Sequence, residues 1–235
     1  MNTEGSEISA NRLLAMLPHA DLERLAPSLS TVSLEQGLVL NEPGEEPERV
    51  WFPFTGMISL LAVMADGKGV ETATVGREGV VGAMAGLGPH IPLTRAVVQV
   101  PLVAARIATA PFRRAVQASA VLRDVVVRYN DLLLGQVQVT AACNALHPIQ
   151  KRLARWILQT RDRIDTDTVP LTQELLSEML GVRRSSVSEI ANRLQANGLI
   201  RYSRGTIEIV NRPALEAAAC ECYGVIRDQA MRIGS

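Results

Sequence analysis

The chain has 235 residues, 47% of them hydrophobic, and its 24 lysines and arginines balance 24 acidic residues for a formal net charge of +0. That length and apolar fraction indicate a globular protein with one large or two ordinary packed domains. No apolar run approaches the roughly 20 residues that span a bilayer, residues 1–11 are acidic and polar rather than signal-like, and three cysteines make too sparse and odd a set for a disulfide framework, so a reducing cytoplasm is the expected setting.

The first predicted element is a short amphipathic helix around residues 11–17. Strand-like runs rich in Val, Ile, Phe and Ala follow at 50–54, 57–64, 70–75 and 96–107, punctuated by Pro43-Gly44, Thr55-Gly56 and Asp66-Gly67. Short strands at turn-limited spacing predict a small barrel or sandwich. Among them lies the glycine-dense segment 75–82 (VGREGVVG), leading to Pro89-His90-Ile91-Pro92. Its backbone amides could cradle a phosphate, or its glycines could simply permit tight corners.

After Pro111 the period turns helical. Leu122, Val126, Tyr129, Leu133, Gln136, Thr140 and Cys143 recur at alternating steps of three and four, the seam expected of a helix that pairs with a twin. Val125, Leu132, Val137 and Val139 flank it and would face the chain's own barrel. The alternative is a helix buried within one monomer. His147-Pro148 then ends the helix, because proline disfavours helical geometry in the residue before it, and reads as a hinge.

Residues 171–210 carry the densest pattern. Thr172 is a hydroxyl N-cap for a helix whose inner face is Leu175, Leu176, Met179 and Leu180, and Gly181 supplies a left-handed turn. A second helix over 184–197 buries Val187, Ile190, Ala191 and Leu194. Its outer face offers Arg183, Arg184, Ser185, Ser186, Ser188, Glu189, Asn192 and Arg193, groups suited to phosphates and base edges in a major groove. Strand-like runs at 199–203 and 206–210, joined through Arg204-Gly205, form a small wing with arginines at 201 and 204. Residues 147–212 hold eleven Lys or Arg against seven Asp or Glu, a net of +4, whereas residues 1–146 hold eleven against fourteen, a net of −3. Overall neutrality thus hides a basic C-terminal region, the footprint of a phosphate-binding surface.

A β-roll, a long helix, a hinge and a winged helix-turn-helix, in that order, resemble the Crp/Fnr family of bacterial transcription regulators. The most specific stretch is 171–188 (LTQELLSEMLGVRRSSVS), followed by Leu199-Ile200 and the wing. The resemblance implies an α+β fold with an N-terminal β-roll, the cyclic-nucleotide-binding-like jelly roll, over 1–118. A dimerisation helix would span 119–146, a winged helix-turn-helix 147–212 and a helical extension 213–235. It implies a homodimer on double-stranded DNA that engages or occludes RNA polymerase. Thr172 and Ser186 would lie at the phosphate backbone, Arg184 would read bases, and Gln173, Arg183, Ser185, Ser188, Glu189, Asn192, Arg193 and Arg204 would complete the interface. Ser185 stands where relatives commonly have glutamate, and Glu189 where they commonly have arginine, so the operator should differ.

In the sensor half, Gly82-Ala83 and Thr94-Arg95 align with the pairs that cyclic-nucleotide members use for ribose and cyclic phosphate. Val137-Gln138 stands in place of the purine-reading threonine-serine. Only the glycine is kept, and Arg95 falls one position off, where strand alternation turns it to the other face. A small effector other than cyclic AMP, or none, is therefore expected. An iron–sulfur cluster needs about four thiolates and the cysteines are Cys143, Cys220 and Cys222 only. Cys220 and Cys222 lie two apart in a helix-like tail, where their thiols would diverge, so no cofactor and no metal site are expected. With no nucleophile elbow, metal-spaced cluster or Walker loop, no enzyme is expected either. The competing reading is a ligand-binding β-roll whose helix-turn-helix serves protein interaction.

Overall fold

A computed structural model of the chain describes residues 8–203 and 205–232. The chain divides into two compact units. One comprises residues up to 60, residues 73–135 and those from 229 onward; the other comprises 61–72 and 136–228. No helix among the described residues is long and apolar enough to cross a membrane.

The first unit opens with helices α1 (Arg12–Ala15) and α2 (His19–Leu25). Asn11 is fully buried because it both caps α1 and fastens it: Oδ1 accepts from the amides of Leu13 (3.1 Å) and Leu14 (3.2 Å), while Nδ2 donates to the carbonyls of Pro53 (3.0 Å) and Gly79 (2.9 Å). Seven strands follow: β1 (Ser30–Leu34), β2 (Val39–Asn41), β3 (Arg49–Pro53), β4 (Met57–Val63), β5 (Gly69–Val75), β6 (Thr94–Val100) and β7 (Leu102–Ala108). They form one sheet of order β1-β7-β3 and another of order β2-β6-β4-β5. The run 96–107, expected as one strand, is two strands in different sheets. Pro101 has no N–H for a ladder and marks the break; Gly56, at φ +68°, lets the β3–β4 turn pass so close that a Cβ there would lie 2.4 Å from the Pro101 carbonyl. Val50, Phe52, Ile58, Val98, Ala104 and Ile107 fill the core. Phe112 of α3 (Thr109–Ala118) meets Phe52 edge-on, with ring centroids 5.9 Å apart.

The long helix α4 (Ala120–Leu146) has 27 residues. Its expected dimer seam turns out to be an inward face. Leu122, Val126 and Tyr129 belong to the β-roll core, Leu133 packs against that core, and Gln136 and Thr140 are buried as well, all within the single chain. The physical reason is that α4 carries apolar residues on more than one face, with Val127 and Leu134 exposed among Arg123, Asp124, Arg128 and Asp131, so periodicity alone cannot say which seam faces the chain's own fold. The outward face carries Val127, Leu134 and Ala141 at a spacing of seven, with Val127 and Leu134 exposed at 50% and 51%.

The second unit contains α5 (Ile149–Ile164), β8 (Thr168–Pro170), α6 (Gln173–Leu180), α7 (Arg184–Ala196), β9 (Ile200–Ser203), β10 (Thr206–Ile209), α8 (Arg212–Ala218) and all but the last turn of α9 (Cys222–Met231). A three-stranded sheet of order β8-β10-β9 includes a strand, β8, that the sequence reading lacks, since three residues leave no visible period. The tip of the β4–β5 hairpin belongs here too: the indole N–H of buried Trp156 donates to Glu71 Oε1 at 2.7 Å, and Glu71 is itself buried. Trp156→Phe keeps an aromatic side chain but removes the indole N–H and part of the buried ring, leaving that acceptor a donor short beside a small cavity, and should cost at least about 1–3 kcal/mol. The readout is a lower urea midpoint with an unchanged slope; an unshifted midpoint would assign the indole N–H no role.

The C-terminal extension docks on α5. Tyr223 Oη donates to Asp162 (2.7 Å), and Arg212 bridges Asp162 (2.9 Å) and Glu216 (2.9 Å). Burial, then the Asp162 carboxylate, pushes the Tyr223 phenol up to about 12, so it remains a donor at neutral pH.

Candidate DNA-recognition face, effector cavity and thiol cluster

The Thr172 hydroxyl caps α6 by accepting from the Leu175 amide at 3.2 Å, and Gly181, at φ 63°, turns the chain toward α7. Val187, Ile190, Ala191 and Leu194 are buried. Anchored along that stripe, α7 leaves Arg183, Arg184, Ser185, Glu189, Asn192 and Arg193 exposed, with Ser186, Ser188 and Gln173 half-buried at their edge. These predicted residues therefore share one surface. Arg204 lies outside the described residues.

Several of these groups already have partners. Ser188 Oγ shares its proton between Gln173 Oε1 (2.9 Å) and the Arg184 carbonyl (3.0 Å), tying α7 to α6. Arg193 pairs with Glu189 one turn earlier, and Arg201 with Glu208 across the wing at 2.6 Å. Arg184 stands 3.9 Å from Glu174, a loose exposed pair worth little in water. Arg183 is exposed with no side-chain partner among the described residues. The regional excess of +4 overstates the charge of this face, since Arg152, Arg155 and Arg163 of α5 are buried. Net charge counts residues without regard to where they point.

A cavity of about 120 Å³ lies in the β-roll, lined by Gly82, Ala83, Thr94, His90 and, from α4, Val126, Tyr129, Asn130 and Leu133 among others. Three of the predicted effector residues line it. Arg95 does not: its guanidinium pairs with Glu42 at 2.9 Å, as the strand alternation anticipated. Val137 and Gln138 do not line it either, because α4 meets the cavity with earlier turns. Among the described residues no lysine or arginine lines the cavity, so a cyclic phosphate finds no guanidinium partner there, and this lining does not fit a cyclic nucleotide held in that way. The glycine-dense loop closes on itself, with the Gly76 amide donating to Glu78 Oε1 at 3.2 Å, and Tyr129 covers Gly79 so closely that a Cβ there would lie 2.2 Å from its hydroxyl. The loop is a packed corner and its Gly76 amide is occupied.

The expected divergence of Cys220 and Cys222 does not occur. Their i, i+2 spacing would separate the thiols only on a continuous helix, but α8 ends at Ala218, Ala219 is extended (φ −76°, ψ 166°), and α9 begins at Cys222. The chain thus turns between them. Sγ of Cys143, Cys220 and Cys222 and a ring nitrogen of His147 all lie within 4.8 Å of one another. Cys143 and Cys220 are 3.5 Å apart, Cys222 Sγ is 3.6 Å from His147 Nδ1, and His147 Nε2 is 3.1 Å from Glu221. The hydrogen bond from Cys220 lowers the Cys143 thiol below its usual range, while the same pairing raises that of Cys220.

The sequence matches a cyclic nucleotide-binding domain over residues 31–119 and a Crp-like helix-turn-helix domain over residues 151–218. No curated protein matches it. The fold is similar to that of FixK2 from Bradyrhizobium japonicum, with 16% identity, a TM-score of 0.70 and coverage of 82% of this chain and 98% of that one. It is also similar to a transcriptional regulator of the Crp/Fnr family from Eubacterium rectale, with 15% identity, a TM-score of 0.69 and coverage of 89% and 98%. A third similar structure is CLP, a c-di-GMP-responsive global regulator from Xanthomonas campestris, with 15% identity, a TM-score of 0.66 and coverage of 83% and 100%.

Proposed function

We propose that the chain, which matches a cyclic nucleotide-binding domain and a Crp-like helix-turn-helix domain, is a Crp/Fnr-type transcription regulator that acts as a homodimer on a near-palindromic operator. These regulators are DNA-binding proteins, not enzymes. The observation that carries the reading is the outer face of α7, where Arg183, Arg184, Ser185, Glu189 and Asn192 are exposed together on a helix fixed from behind by four buried side chains. Such a helix presents donors and acceptors to a major groove. Two copies related by a two-fold axis would place their α7 helices about 34 Å apart, one helical turn of DNA. The apolar row Val127, Leu134 and Ala141 supports α4 as the dimer helix. Bound at a promoter, the dimer contacts RNA polymerase or occludes it.

The cavity supports an effector other than cyclic AMP. Its polar lining groups, Asn41, His90, Thr94, Tyr129 and Asn130, suit a small molecule without a strong negative charge.

Selection of bound duplexes from a random pool by ligand-free protein, at fixed salt, tests the reading directly. An enriched two-fold motif is the expected product. Failure to enrich any sequence, with or without cell metabolites, together with loss of salt-dependent binding, would reassign the helix-turn-helix to protein interaction. On the selected operator, Arg184→Ala should weaken specific binding by about 1–3 kcal/mol and relax base choice within each half-site. Its pairing with Glu174 is long and exposed, so little is lost in freeing the side chain for DNA. An equal loss on random DNA would make Arg184 a phosphate contact instead.

A further inference from the structure

Outside the recognition face and the cavity, one cluster combines every element of a coordination sphere. Cys143 sits near the end of α4, His147 at the α4–α5 junction, Cys220 before α9 and Cys222 at its first position. We propose that these four residues bind one zinc ion in a closed, four-coordinate Cys₃His site.

Distances, the carboxylate beside His147 and charge support this independently. A tetrahedron with Zn–S bonds of about 2.3 Å has edges of about 3.8 Å, and the Cys143–Cys220 and Cys222–His147 separations of 3.5 and 3.6 Å already match that spacing. The widest separation, 4.8 Å, closes with shifts of about 1 Å or less. A two-iron cluster would hold its ligands on two different metals and spread them further, and four convergent protein ligands leave no open position for catalysis.

The histidine is oriented as a ligand. Its Nδ1 faces the sulfurs, and its Nε2 is held by the Glu221 carboxylate at 3.1 Å, the carboxylate–histidine–metal arrangement that fixes the tautomer and raises ligand basicity. Charge completes the case. Arg152 and Arg155 are 7% and 3% exposed, and their polar partners are the Leu180 carbonyl and the Gln159 amide oxygen, with no carboxylate partner among the described residues. Binding releases three thiol protons to solvent and leaves three thiolates around a dication. That site has one net negative charge, which the buried guanidiniums are placed to balance. A hydrocarbon-like surround would leave both cations uncompensated.

The ion would fasten the C-terminal extension to the helix–proline–helix junction, joining two chain segments distant in sequence. Zinc binding to the folded chain alone stabilises it by mass action.

Full-length protein, purified under reducing conditions without metal-affinity resin, should contain one zinc per chain by elemental analysis. Zinc-depleted protein titrated with Co²⁺ should develop intense visible d–d bands and a near-ultraviolet thiolate-to-cobalt band, the signature of tetrahedral sulfur-rich ligation. Cys222→Ser should abolish or shift those bands. Glu221→Gln, an exposed change that leaves all four ligands in place, should weaken zinc about ten- to a hundredfold in competition with a chromophoric chelator. That variant and the wild-type cobalt spectrum stand even if Cys222→Ser fails to fold. Three reduced thiols that take up neither zinc nor cobalt would overturn the proposal. So would stoichiometric iron with sulfide, or a Cys143–Cys220 disulfide as the stable state of the reduced-buffer protein.

Discussion

Gly82→Ala is expected to lower the unfolding free energy by roughly 2–5 kcal/mol with no ligand present. Two costs combine. Gly82 sits at φ +83°, where a side chain costs about 1–2 kcal/mol, and a Cβ there would lie 2.8 Å from the Arg49 carbonyl, a backbone atom that cannot swing away. Overpacking of this kind adds about 1–3 kcal/mol. The neighbouring backbone offers no slack, because Val81 and Trp51 exchange amide–carbonyl hydrogen bonds of 2.9 Å in each direction. Urea denaturation of the ligand-free protein measures the effect as a midpoint shift at constant slope. Wild-type stability combined with an altered effector response would instead assign this glycine to a ligand, the other role its motif allows.

The glycine motif shows where a sequence stops being legible. Its spacing is compatible with a phosphate cradle and with a tight corner, and the choice depends on Glu78 and Tyr129, whose contacts with the loop appear only in three dimensions. The helix-turn-helix was readable because its signals are local: a capping hydroxyl at Thr172, a left-handed glycine at 181 and a buried stripe at helical spacing. The β-roll was readable in class but not in detail. β1 carries mostly exposed residues and β2 has three residues, so neither shows an apolar alternation, while Pro101 was a visible break that an apolar run concealed. The thiol cluster was invisible for a different reason. Cys143 and Cys220 are 77 positions apart, and helical periodicity misleads at 220–222, because the chain is extended at Ala219.

The long helix posed the hardest choice, and it sets the second large prediction. Leu134→Asp should convert the proposed dimer to monomers at micromolar concentration while leaving the melting of the monomer fold nearly unchanged. Leu134 is 51% exposed in the single chain, so the substitution removes little internal packing. In a two-fold α4 pair it would forfeit the leucine burial in both copies, about 1–3 kcal/mol in all, and would desolvate an unpaired carboxylate on each side for roughly 1–3 kcal/mol apiece. The sum exceeds a hundredfold in dimer dissociation constant, since each 1.4 kcal/mol is tenfold. Leu133→Asp is the control with the opposite profile: Leu133 packs against the β-roll core, so its replacement should destabilise the monomer itself. Sedimentation velocity and a thermal melt on both variants separate the two faces of one helix. If Leu134→Asp remains dimeric at micromolar concentration, the interface lies on another surface, and the spacing of the operator half-sites must be derived from that surface instead.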